Sequence, residues 1–437
     1  MTIDPAAWMI LAVLVALPLG MSVIRLLARR FSWSAEITRK AVHISMGLVC
    51  AAFPWCFDNP RPVWWLALLI TVPLALIRWN PLLRQGLGSV LHGVARPSYG
   101  EILFAPAVAT VFHLSHGDPW LHAIPIAILA IADAAGALAG TGYGKRRYIC
   151  GEGLKSVEGS TAFLIASFLC AALPLAMSGR TDWPHAFWIG LTLAILTMMA
   201  EGVSDRGFDN LVIPVGACLV LTRLLPLEIA SLVTRSLVAS SLLAFVLTAS
   251  RWSTLNGGAL LGYGCAILAD ARFILPLLGL FACHLGTTHR HQLKDHLGHR
   301  LDAVLSPAIA ILPWVLAVQL KWLDSNRGLA GACFAIAAQI SILDVSTRWW
   351  LGGKGFNPLK SLTKGWLAGA FPGLALCLAS LGDLPAGLAA GVLASVVVTL
   401  IFQRIRPLFL RDCPELWITK GLFALSSSLA ALLLTAR

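Results

Sequence analysis

The chain has 437 residues, 58% of them hydrophobic and 12% charged, at a mean hydropathy of +0.79. That balance excludes a sizeable water-soluble domain, intrinsic disorder and a coiled coil. It points to an all-α, polytopic membrane protein, and because a spanning helix needs about 20 apolar residues, the chain has room for about 14 to 16 transmembrane helices in two bundles.

In chain order, apolar windows place spans near 8–28, 40–57, 63–79, 100–115, 120–142, 158–178, 186–203, 209–225 and 227–248 in a first domain, 1–250. A second domain, 251–437, carries windows near 255–270, 272–284, 302–320, 328–345, 365–381, 384–403 and 416–435. The stretch 255–284 reads either as one long tilted span or as a re-entrant pair. Basic residues follow the first window rather than precede it, so it reads as a retained span and not a cleaved signal peptide.

The net charge of +12 does not indicate a nucleic-acid partner. If the spans alternate, most Lys and Arg fall on one side of the membrane. By the positive-inside rule that side is cytoplasmic, and the N-terminus lies outside. Tryptophans near span ends, among them Trp33, Trp55 and Trp120, suit an interfacial belt. The ten cysteines are scattered without a C-x-x-C pair and read as small buried hydrophobes.

Chemistry concentrates in the cytoplasmic loops. Arg39-Lys40-Ala41-Val42-His43 opens the second span. A basic pair there is common, but His43 is one turn inside the bilayer and lies on the Arg39 face at i, i+4. The richest segment starts at Asp133, within an apolar helix, where an ionisable group is a functional candidate by default. Gly136, Gly140, Gly142, Gly144 and Lys145 follow, then Lys155-Ser156-Val157-Glu158-Gly159-Ser160. The glycines read in two ways: as close helix packing, or as backbone that lets N–H and ammonium groups reach a polyphosphate. A carboxylate, a Gly-rich turn and Lys-Ser are what a nucleotide–Mg²⁺ site requires, with the carboxylate on the metal and the lysine on developing phosphate charge. A third segment carries Glu201, Asp205, Asp209 and Asn210, suited to a further metal contact.

These residues resemble the phytol kinase and dolichol kinase family, polytopic enzymes that phosphorylate isoprenoid alcohols with CTP. The resemblance rests on Arg39, Lys40 and His43; on Asp133, Gly140, Gly144 and Lys145; on Lys155, Ser156, Glu158, Gly159 and Ser160; and on Glu201, Asp209 and Asn210. It covers residues 20–225. It implies transfer of the γ-phosphoryl group of CTP, with Mg²⁺, to an isoprenoid alcohol drawn from the membrane lipids, with the active site on the cytoplasmic face. Asp133, Asp209 and Glu201 would then serve the metal. Arg39, Lys40, Lys145, Lys155, Ser156, Asn210 and the two glycines would serve the nucleotide, and His43 or Glu158 would accept the hydroxyl proton. The same block is more distantly similar to phosphatidate cytidylyltransferases, which also use CTP. A transporter built from two internal repeats is the rival from another class.

The second domain repeats the order of features more loosely. Asp344 ends a span, Gly352-Gly353-Lys354-Gly355 follows, and then Lys360-Ser361. It is weakly similar to the membrane family containing phytyl-phosphate kinases, through Arg300-Leu301-Asp302-Ala303-Val304 and the Asp344 region. That implies a second phosphorylation, giving the diphosphate, with Asp344, Lys354 and Lys360 as its residues. His284, His289, His291, His296 and His299 read as a solvated loop or as metal ligands.

Overall fold

The computed structural model describes residues 5–79, 99–150, 153–204, 206–248, 252–291, 302–350, 358–377, 384–409 and 413–435. The chain is an all-α, polytopic membrane protein that divides into two compact units, Met1–Trp252 and Ser253–Arg437. Among the described residues six helices are long and apolar enough to cross a bilayer, and shorter apolar helices stand among them.

The first unit runs α1 (Pro5–Arg30), α2 (Ala35–Ala51), α3 (Pro60–Trp79) and α4 (Gly100–Leu114), then α5 (Pro119–Tyr143). A two-stranded antiparallel hairpin follows, β1 (Arg147–Cys150) and β2 (Gly153–Ser156), with Tyr148 opposite Lys155. The unit closes with α6 (Val157–Met177), α7 (Trp183–Val203), α8 (Asp209–Leu224) and α9 (Ile229–Thr248).

Local chemistry sets these boundaries. Ser34 caps α2 by accepting the Ile37 N–H, and Asp118 caps α5 by accepting those of Trp120 and Leu121, with Pro119 just inside. Ser156 and Asp182 do the same for α6 and α7. Such caps satisfy N–H groups that a helix start leaves open, and in a bilayer the unpaired alternative is costly. Asp118 also takes Arg180, which ties two loops at one end of the bundle.

Successive helices run antiparallel, with α6 packed on α5 and α7, and α2 on α5. Therefore the start of α2, the end of α5, the hairpin, the end of α7 and the start of α8 share one end. At the opposite end the core is apolar and aromatic, with Phe53, Phe57, Val63, Leu66, Val108 and Phe112 buried together.

The second unit contains α10 (Trp252–Leu268), α11 (Ile274–His291), α12 (Asp302–Gln319), α13 (Ser325–Trp350), α14 (Pro358–Gly365), α15 (Phe371–Cys377), α16 (Leu384–Ile405) and α17 (Pro414–Thr435). The segment left open above, 255–284, is two helices joined by a short turn at Ala271–Phe273. Helix α13 is central, with 94% of its apolar window buried against α12, α14, α16 and α17.

Candidate functional site

Helix α5 is not uniform. Residues Ile128–Ala132 form a π-helical step, and Asp133 is the first residue after it. A π turn carries an extra residue, so it changes the direction in which everything beyond it faces. Here Asp133 meets α2. Lys40, 4% exposed, donates from Nζ to Asp133 Oδ2 at 2.6 Å. One turn on, His43 Nε2 lies 3.5 Å from the same oxygen and 3.3 Å from the carbonyl oxygen of Leu129, inside the π step. Both neighbours are acceptors, so a ring protonated at Nε2 is the form that satisfies them.

This corrects one expectation. Arg39 does not join His43 in the bundle; it turns outward and pairs with Glu36 at 2.7 Å. The residues of α2 that meet Asp133 are Lys40 and His43, at i, i+3.

The second ion pair crosses from the hairpin to α7. Lys155 Nζ donates to Glu201 Oε1 at 2.6 Å and to the Glu201 carbonyl oxygen. The hairpin is fastened to the first turn of α6 so that Lys155 is held in place. The Val157 N–H donates to the Arg146 carbonyl at 2.9 Å, the Glu158 carboxylate accepts the Arg146 N–H at 3.2 Å, and Tyr148 Oη meets Ser160 Oγ at 2.6 Å. Glu158 therefore closes the base of the hairpin, and Ser156, buried, caps α6 by accepting the Gly159 N–H. Lys145 is exposed where the hairpin begins.

Asp209 opens α8 and accepts the N–H of Asn210 at 2.9 Å. It lies within electrostatic range of Asp133, Lys155 and Lys40, as Glu201 does of Asp133 and Asp209. The site thus sets the carboxylates of Asp133, Glu201 and Asp209 against the ammonium groups of Lys40 and Lys155. Two carboxylates are neutralised by lysine. Asp209 makes no ion pair among the described residues.

No group of three or more His, Cys, Asp or Glu side chains among the described residues forms a ready metal cage. Three nearby carboxylates, one lacking a cation, still fit Mg²⁺, a hard ion that takes one or two protein carboxylates and completes its shell with water and substrate phosphates.

Gly136, Gly140, Gly144 and Gly159 sit at close helix contacts, whereas Gly142 meets open space. A Cβ on Gly159 would lie 2.7 Å from the Gly136 carbonyl oxygen and 3.1 Å from Gly140 Cα, and one on Gly140 would lie 3.1 Å from Ser156 Oγ. Gly144 is as tight, 2.8 Å from Ser156 Oγ. Gly140 and Gly144, which the resemblance sets at the nucleotide, let α5 and the start of α6 touch. Only side chains without a Cβ permit that approach.

In the second unit Asp344 is buried, accepts the Ser361 hydroxyl and lies 3.5 Å from Lys364 Nζ. Lys360 is exposed, and Lys354 lies outside the described residues, as do His296 and His299. Among the described residues the lysine beside Asp344 is therefore Lys364. A small cleft of about 50 Å³ beside Asp344 is lined by residues that include Lys364, His284 and Lys420. Lys420 is buried with Nζ 3.6 Å from the Trp417 ring centroid. Arg406, also buried, donates to Ser346 Oγ at 3.0 Å and covers Trp349. Lys420 and Arg406 are among the basic residues that mark the topology in the sequence. Their positions at the ends of apolar spans were the available clue.

The fold and this end of the first unit define a class, multi-pass membrane proteins with a paired lysine–carboxylate centre assembled from the ends of several spanning helices. The chain is 33% identical over 199 residues to a phytol kinase from Synechocystis sp., a match covering 44% of this chain and 82% of the relative. It belongs to the phytol kinase family. No family model matches it, and no solved structure matches it.

Proposed function

We propose that this protein is a membrane kinase that transfers the γ-phosphoryl group of CTP to the hydroxyl of an isoprenoid alcohol at the cytoplasmic face. The observation that carries the reading is the paired centre, Lys40–Asp133 and Lys155–Glu201 with Asp209 beside them, in a chain of the phytol kinase family.

Phosphoryl transfer asks a protein mainly for positioning and charge stabilisation. Lys40 and Lys155, held by carboxylates while no phosphate is near, are placed to turn to phosphate oxygens and to neutralise charge on the leaving diphosphate. Asp209, Asp133 and Glu201 would hold Mg²⁺, which when bound supplies charge neutralisation across the phosphates. The alcohol oxygen bonds to the γ-phosphorus, the bond from that phosphorus to the bridging oxygen breaks, and CDP leaves. The hydroxyl proton passes to a nearby base. His43, against Asp133, is better placed for this than Glu158, whose carboxylate is held by the Arg146 N–H. The alcohol's chain would lie among the spans. A second phosphorylation, of the monophosphate to the diphosphate, would fall to the second unit.

Purified protein given γ-labelled CTP and a panel of isoprenols tests the reading. Label should enter a lipid-soluble monophosphate with release of CDP, and a time course should then show any diphosphate. Pyrophosphate release with a CDP-lipid would overturn the kinase reading in favour of cytidylyl transfer. Absence of diphosphate would remove the second step alone.

A further inference from the structure

Apart from the paired centre, the same end of the first unit carries an open groove of about 420 Å³ on the α1–α2 hairpin, lined by Arg25, Ala28, Arg29, Ser32, Trp33 and Thr38. That volume is in the range of small-ligand sites. Arg25 and Arg29 are one helical turn apart on α1, so both guanidinium groups leave the same face. Neither makes a hydrogen bond or ion pair with any described residue, and no carboxylate lines the groove. Glu36, the nearest acid in sequence, is held by Arg39.

The surroundings decide what such a cationic groove receives. The span Ala7–Arg30 is strongly apolar and only 11% of its window is buried in protein, a surface suited to acyl chains. Trp8, Leu11, Val15, Leu19, Val23 and Leu26 are exposed down its length. The two arginines follow at the end of this apolar stretch, with Trp33 just beyond, which places the groove at headgroup depth. A guanidinium offers two parallel N–H donors to a phosphate.

We infer that this groove binds the headgroup of an anionic phospholipid, whose phosphate lies between Arg25 and Arg29 while its chains run along α1. The site is separate from the paired centre. It borders it, because α2 begins at Ala35, directly after the groove, and presents Lys40 just over a turn later. A bound headgroup therefore anchors the helix that carries half of the Lys40–Asp133 pair.

The test uses the full chain in mild detergent without nucleotide, so that it stands or falls apart from the kinase reading. Short-chain phosphatidylglycerol is titrated while thermal stability is followed, with short-chain phosphatidylcholine and inorganic phosphate in parallel. Phosphatidylglycerol should raise Tm saturably, and phosphatidylcholine and inorganic phosphate should not. Arg25→Gln with Arg29→Gln should weaken the half-saturating concentration by roughly 10- to 30-fold, as expected for two basic contacts at a membrane surface. Arg25→Lys with Arg29→Lys should retain most of the response. Arg30→Gln removes the same charge from the same turn but lies outside the groove, and should respond as wild type. An equal response in the double Gln variant, an equal loss in Arg30→Gln, an equal effect of inorganic phosphate, or no response in the wild type would each overturn the assignment.

Discussion

Lys40→Met is the most informative single substitution, because it removes one partner of a buried contact that joins residues 93 positions apart. Methionine fills nearly the same volume, so the effect isolates charge from packing. Asp133 is 16% exposed at its side chain and Lys40 5%, so water screens little of the interaction. Removing one member of a buried pair costs about 3–5 kcal/mol, chiefly because the other charge is stranded. Asp133 can relieve part of this by taking up a proton, so a loss of about 3 kcal/mol is expected. Lys40→Met combined with Asp133→Asn removes the stranded charge and should recover about 1–2 kcal/mol. Equilibrium unfolding in mixed detergent micelles of the wild type, two single variants and the double variant gives the coupling energy. Turnover should fall in all three. Strict additivity, within about 0.5 kcal/mol, would show that the pair is not coupled in the membrane and would undo the reading of Lys40 and Asp133 as a buried ion pair.

Lys155→Ala should lower kcat by about 10²-fold or more, as loss of a group that stabilises developing charge does, with the protein still inserted and folded; near-normal turnover would reduce the hairpin to a scaffold. Gly159→Ala should destabilise the first unit by about 1–3 kcal/mol because its methyl collides with the α5 backbone, whereas Gly142→Ala, which meets open space, should be neutral or stabilising by up to about 1 kcal/mol. Equal effects in thermal denaturation would refute the packing role. In the second unit, hydrogen bonds from Arg272 hold the Asp270 carboxyl below its ordinary value. A depressed folded pKa stabilises at pH above the usual carboxylate range and is lost as pH falls through the folded value. Asp270→Asn should therefore cost about 1 kcal/mol at neutral pH and progressively less as pH falls below the usual carboxylate range, and a pH-independent cost would contradict this.

The sequence disclosed the architecture because a bilayer leaves few solutions. Apolar windows of spanning length become helices, and alternation then gathers Lys40, Asp133, Lys155, Glu201 and Asp209 at one end. Pairing partners were less legible. Spacing along α2 favoured Arg39 with His43, but which residue faces Asp133 depends on the packing of α2 against α5, which no local pattern encodes. The roles of Gly140 and Gly144 were ambiguous for a related reason, since the same residue permits a helix contact or a phosphate contact. In the second unit the Asp344–Lys364 contact was hidden by apparent repetition of the first. Lys360 has the expected place in the order but projects outward, and Lys364, one turn later, faces Asp344.

The π-helical step in α5 has a consequence for how this helix can vary. Before Ile128 the helix keeps one rotational phase, and from Asp133 onward it keeps another, in which Gly136 and Gly140 meet α6 while Asp133 meets Lys40. The helix behaves as two screws threaded out of step, with five residues as the coupling. Loss of a single residue from that coupling would restore a continuous thread and turn everything beyond it by about 100°. The acid and the glycine seam would leave their partners together. The chemistry of the centre and the packing that supports it are therefore geared to one joint.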